Sequence, residues 1–197
     1  MLARYRMWVV TLLLLAMGLA GCKVDSVNPI TSLDSTQPDA SIHGLWRYKS
    51  KDELTYIHVG PEFALGDAAA AANKRTRVIF IDHKANGLTD EAYVAYASRI
   101  GKQRYFNVVQ TEGDKTVGYL FIRYTLVDRN TLRFAMVNEE ALKSAIRAGR
   151  IKGTIRGEGP TSETVITAES GDIEKFLNED GGKLFTTPLV VRRVPDR

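Results

Sequence analysis

Few side chains in this sequence could carry chemistry. There is one cysteine, Cys22, and there are three histidines, His43, His58 and His83. A lone thiol has no partner for an intramolecular disulfide, so Cys22 is left as a nucleophile, a ligand or a site of modification. No two histidines stand at the short spacing of a local zinc site. His58 and His83 end neighbouring predicted strands, and Asp82 and Glu62 could join them. Lone histidines at strand ends are more often surface residues than ligands, so no metal is expected. The sequence holds no Gly-x-Ser-x-Gly elbow and no Ser-x-x-Lys set with its partners. Gly153, Gly157 and Gly159 lack the strand–loop–helix frame of a phosphate cradle and read as turn glycines. Glu139-Glu140 and Glu179-Asp180 fall at predicted helix ends, where solvation and the helix dipole account for them. No catalytic residue and no cofactor is expected, and the chain is read as a protein other than an enzyme.

The surroundings of Cys22 say more than the thiol itself. Arg4 and Arg6 make a short positive start, and an apolar run follows from Met7 to Ala20. At 1.5 Å per helical residue that run reaches only about 21 Å, short of a hydrocarbon core of roughly 30 Å. A positive end, a short apolar core and small residues at the exit describe an export signal. Leu19-Ala20-Gly21-Cys22 resembles the lipobox of bacterial lipoproteins. The resemblance covers the first 22 residues. It implies that a diacylglycerol is attached to the Cys22 thiol, that a peptidase removes residues 1–21, and that the new amino terminus is acylated. Several acyl chains, at about 0.8 kcal/mol per buried methylene, hold durably where one chain is marginal. Lys23 follows the cysteine. In the lipoproteins this resembles, Asp there favours inner-membrane retention, so Lys23 implies the outer membrane, with the domain facing the periplasm.

Cleavage after Gly21 removes two arginines and no acid, leaving 25 basic against 23 acidic residues, a net charge of +2. So even a balance gives no electrostatic case for a nucleic-acid partner. Residues 22–41 carry the acylated cysteine and a Ser-, Thr-, Asp- and Pro-rich stretch that reads as a flexible tether. Residues 42–197 have the length of a single domain.

Within that domain, short runs rich in aromatic and β-branched residues alternate with polar turns. They fall at 44–50, 54–60, 76–83, 93–100, 104–110, 117–127, 131–137, 163–169 and 187–194. Residues 138–149 predict a helix capped by Asn138 and ended by Gly149, and 170–182 a second ended by a double glycine. The alanine run within 62–73 predicts a third. The expected fold is mainly β: an antiparallel meander forming a barrel or a sandwich, with two or three short helices. Gly44-Leu45-Trp46 at the first strand resembles the Gly-x-Trp that opens lipocalins and related calycin barrels. That resemblance implies a tryptophan plugging the closed end beneath an arginine of the last strand, here Arg192 or Arg193. The extra helices in the final third depart from plain lipocalins.

If the sheet closes, one of its faces lines an interior. Tyr93, Tyr96, Tyr105, Tyr119, Phe121 and Tyr124 are the candidate ligand contacts, with apolar bodies and, in the tyrosines, polar tips. The expected function is a lipid-anchored envelope protein, held to the membrane through Cys22, that binds a small apolar or amphipathic ligand. The alternative is a structural or accessory lipoprotein that binds another envelope protein.

Overall fold

A computed structural model describes residues 25–50, 53–62, 74–84, 87–157 and 162–195. The expected export signal, the lipobox and nearly all of the expected 62–73 helix lie outside the described residues. Eight strands form a closed antiparallel barrel. They are β1 (Gly44–Lys49), β2 (Leu54–Pro61), β3 (Thr76–Lys84), β4 (Gly87–Ile100), β5 (Gln103–Glu112), β6 (Lys115–Asp128), β7 (Thr131–Met136) and β10 (Leu189–Arg193). Of the two expected arrangements the chain takes the barrel, consistent with a calycin-like fold. The meander runs from β1 to β7, and β10 then enters between β7 and β1. Between β7 and β10 come α1 (Glu139–Arg147), the hairpin β8 (Gly153–Arg156) and β9 (Glu163–Ile166), and α2 (Ser170–Leu184). The stretch 153–156, read as turn from its glycine, is thus a strand, paired to β9 from Gly153↔Ile166 to Arg156↔Glu163.

Strand pairing shifts along the barrel, as closure of a tilted sheet requires. β4 pairs with β3 through Gly87–Ala95 and with β5 only through Ala95–Ile100. Above Ala95 the β3–β4 hairpin therefore stands clear of β5. The seam between β1 and β10 is short, with two paired positions, Trp46↔Arg193 and Arg47↔Arg192.

Two apolar cores result, one on each side of the barrel wall. Inside lie Trp46, Ile57, Val59, Phe106, Leu132 and Val191, among others. Outside, α1, α2 and β9 cover strands β4–β7, burying Tyr105, Phe121, Leu142, Ile166, Ile173 and Phe176. Asn138 caps α1 by accepting from Ala141 N at 3.0 Å, and Gly149, at φ +67°, follows its end. α2 continues through Gly181-Gly182, where a stop was expected, because Gly181 and Leu184 are buried against the wall. A Cβ on Gly181 would lie 3.1 Å from the Tyr105 hydroxyl, so glycine there admits close approach instead of ending the helix.

The expected tether is corrected by its own contacts. Asp25, Ser26, Ile30 and Ile42 are buried. Tyr119 and Ser26 exchange backbone hydrogen bonds, Tyr119 N to Ser26 O at 2.8 Å and Ser26 N to Tyr119 O at 3.0 Å. On the other side, Val27 N donates to Ile166 O and Ile166 N to Asp25 O. Residues 25–27 thus form a short rung between β6 and β9, where β7 has left the edge of β6. The Asp25 carboxylate accepts from Phe121 N at 3.0 Å, and the Asn107 side chain accepts from Ile30 N at 2.7 Å. Polar composition suggested a linker. The polar groups are instead spent on the backbone of the barrel wall, so the folded unit begins by Asp25 and not at residue 42.

Candidate functional site

One end of the barrel is shut. Trp46 is fully buried there, and its Nε1 donates to Ile42 O at 2.9 Å. The Arg193 guanidinium lies 4.1 Å from the Trp46 ring centre. It also donates to Ser41 O at 2.9 Å, to Arg129 O at 2.7 Å and to His43 O. Three carbonyls and a ring face are what a planar, many-donor cation can satisfy at once. Gly44 has φ +136°, and a Cβ there would lie 2.4 Å from Arg193 Nη1. Gly44, Trp46 and Arg193 therefore form one unit. Arg192, the other candidate, points to Thr131 Oγ1 instead.

Above this floor the lumen is open. A cavity of about 100 Å³ is bounded by Ile57, Val78 and Phe80 on one side. Tyr93, Phe106, Val108, Leu120, Ile122, Phe134, Met136 and Leu189 complete its wall, with Thr186 and Thr187 also lining it. A single water needs about 10–15 Å³ of such space and two to four polar partners. This space is several times larger and nearly devoid of such partners. Its physical preference is a hydrocarbon segment. At the rim, the Tyr93 hydroxyl donates to Glu91 Oε2 at 2.6 Å, and the Phe80 and Tyr93 rings meet edge to face at 5.9 Å.

The six expected contacts do not come together. Tyr93 lines the cavity. Tyr124 also points inward but belongs to the floor, stacked on Phe106 at 4.4 Å with its hydroxyl 3.1 Å from Asp39 Oδ2. Burial and the Asp39 charge push its phenol up. Tyr96, Tyr105, Tyr119 and Phe121 lie on the outer face. Tyr96 meets Tyr119 at 6.2 Å, Tyr105 meets Phe185 at 5.5 Å, and Phe121 packs in the outer core. The reason is the two-residue period of a strand. Phe121 and Tyr124 are three apart on β6 and must face opposite ways. The signal that finds the lumen is the absence of charge. Leu120, Ile122, Tyr124 and Leu126 form one face of β6, whereas the face of Tyr119 and Phe121 also carries Arg123 and Thr125.

A polar hollow of about 360 Å³ lies outside the floor, lined in part by Asp39, Ser98, Arg104, Tyr124 and Glu174. Its charges answer each other, since Arg104 Nη1 is 2.6 Å from Asp39 Oδ2. Burial alone would raise the Asp39 carboxyl. Hydrogen bonds from Ser41 and Tyr124 and the Arg104 charge outweigh it and hold the group below its ordinary value. This is a structural clasp between the segment before β1 and the barrel.

His58 and His83 stay apart. His58 pairs with Ile79, four residues before His83 on β3, so the two are separated by roughly 13 Å of strand. The His83 ring packs edge-on to Tyr56 at 5.5 Å. Among the described residues no three metal-ligating side chains converge.

Compared with models of protein families, with characterised proteins and with solved structures, the chain matches none, and the functional reading stands on the cavity.

Proposed function

We propose that this chain is a lipid-anchored protein of the cell envelope whose barrel binds a small apolar or amphipathic ligand. The observation that carries the reading is the lumen: a closed floor, an apolar wall and unfilled space above Phe106 and Leu120. Small barrels usually fill their interiors with their own side chains. Here the large aromatic side chains Tyr96, Tyr105, Tyr119 and Phe121 that could do so are spent on the outer wall. The hydrocarbon part of a ligand would sit against Val78, Val108 and Ile122. The Tyr93 hydroxyl at the rim supplies a polar tip for a head group. The anchor is the acylated Cys22 that the Leu19-Ala20-Gly21-Cys22 motif implies, with the outer membrane as the expected address.

Native mass spectrometry of the full chain, extracted gently from membranes, tests the reading. The wild type is expected to carry a reproducible added mass. Val78→Phe grows a ring into the lumen and should cut retained ligand about tenfold, the loss of roughly 1.4 kcal/mol of affinity. Tyr96→Phe, on the outer wall, should leave retention unchanged. A bare wild-type mass after incubation with envelope lipid extract would overturn the reading and favour the protein-binding alternative.

A further inference from the structure

The course of residues 25–27 fixes how such a barrel stands on its membrane. This inference rests on the reading of Cys22 as acylated. Lys23 and Val24 are the only residues between Cys22 and Asp25. At no more than about 3.6 Å per residue, the Cys22 backbone lies within roughly 11 Å of Asp25. Asp25 is itself tied to the barrel wall. Its backbone joins Tyr119 O and Ile166 N, and its carboxylate takes Phe121 N. These contacts are on the upper part of β6, flanking the cavity-lining Leu120. From Tyr119, β6 runs on to Asp128 at the closed end, about 30 Å further along the strand. So short a leash brings the open end of the barrel, not the floor, to the anchor.

A second observation lies at the same end. Leu88, at the tip of the β3–β4 hairpin, is 64% exposed, the largest exposure of any bulky apolar side chain among the described residues. That hairpin is the one that stands clear of β5 above Ala95. A leucine on a projecting tip beside an apolar lumen offers a lipid surface an apolar contact. We propose that the mouth of the barrel faces the bilayer, with Leu88 inserted among the head groups, and that the cavity receives one acyl tail of a phospholipid from the leaflet that holds Cys22. The ligand does not need to cross water to enter.

Because Cys22 is the only native cysteine and is consumed by acylation, an introduced thiol is unique in the finished protein. Leu88→Cys, and Val127→Cys at the closed end, are made in the full chain and labelled with bimane. The proteins are reconstituted in vesicles of phosphatidylcholine and phosphatidylglycerol containing brominated lipid. Quenching at position 88 is expected to exceed that at 127 at least about threefold, given that interfacial groups sit only about 5–10 Å deep. A Gly/Ser insert of roughly 20 residues between Val24 and Asp25, with an r.m.s. span of about 25 Å, should abolish most of the difference. Equal quenching at both positions, stronger quenching at 127, or indifference to the insert would overturn the orientation. Failure of the protein to incorporate labelled palmitate would overturn it at its root. Retained lipid is measured on the same samples. Bound lipid with no preference for position 88 defeats the orientation and spares the cavity reading. A position-88 preference with no bound lipid defeats the acyl-tail ligand and spares the orientation.

Discussion

Arg193 reaches the Trp46 ring and three backbone carbonyls from a single side chain. Removing it strands those carbonyls and uncovers the tryptophan. Arg193→Ala is expected to cost about 1–3 kcal/mol and Trp46→Ala about 3–5 kcal/mol in urea unfolding. Arg192→Ala should cost clearly less than Arg193→Ala, since Arg192 reaches one hydroxyl, Thr131 Oγ1, and the charge of the exposed Asp128. Equal losses at 192 and 193 would contradict the floor geometry. Asp39 gives a pH signature at the same scale. Its folded carboxyl titrates below its ordinary 3.8. Its contribution is therefore present above the unfolded value of about 4 and is lost as pH falls through the lower folded value. Asp39→Asn should be less stable than wild type at neutral pH, and the gap should close on acidification below pH 4, followed by urea midpoints across that range. Residue-scale identities were only partly legible in the sequence. The Gly44–Trp46 spacing pointed to the floor, but adjacent arginines of an exposed strand end look alike until the twist of β10 selects one. The tyrosines misled because β4–β6 are covered on both faces, so neither face reads as the wet one.

At the scale of elements, strands with an apolar period and clear turn residues were the most legible. β1, β2, β3, β5, β6 and β7 fall within a few residues of their expected bounds. α1 follows its caps. Departures occur where packing overrides local preference. Thr89, Asp90 and Glu91 are polar, yet they continue β4 because β3 offers a ladder through Lys84↔Gly87. Gly181-Gly182 stay helical because Gly181 packs closely on the wall, where a Cβ would stand 3.1 Å from the Tyr105 hydroxyl. The rung at 25–27 is invisible to any local rule, because its partners are Tyr119 and Ile166. Composition reports what a segment could bury, not what backbone edge lies waiting for it.

For the whole molecule, closure was foreseeable from the meander, since a sheet of that many hairpins must stack or close to lose its edges. The cavity was not, because volume depends on which aromatic side chains point inward. The rung at 25–27 carries a last consequence, one of time. The Asp25–Phe121 bond spans 96 residues and the Ser26–Ile166 bond 140. Contacts so distant in sequence reward the chain only after most of it has been organised, which places folding in the slow range of milliseconds to seconds. The rung is expected to dock after the rate-limiting barrier. Ser26→Pro, which deletes one of the two backbone donors to Tyr119 O, should then speed unfolding several-fold while leaving refolding nearly unchanged in stopped-flow chevrons. A matching fall in the refolding rate would instead make this short rung part of the nucleus. In the first case the amino-terminal end of the domain is the last piece to set, and it acts as a latch on a barrel already formed.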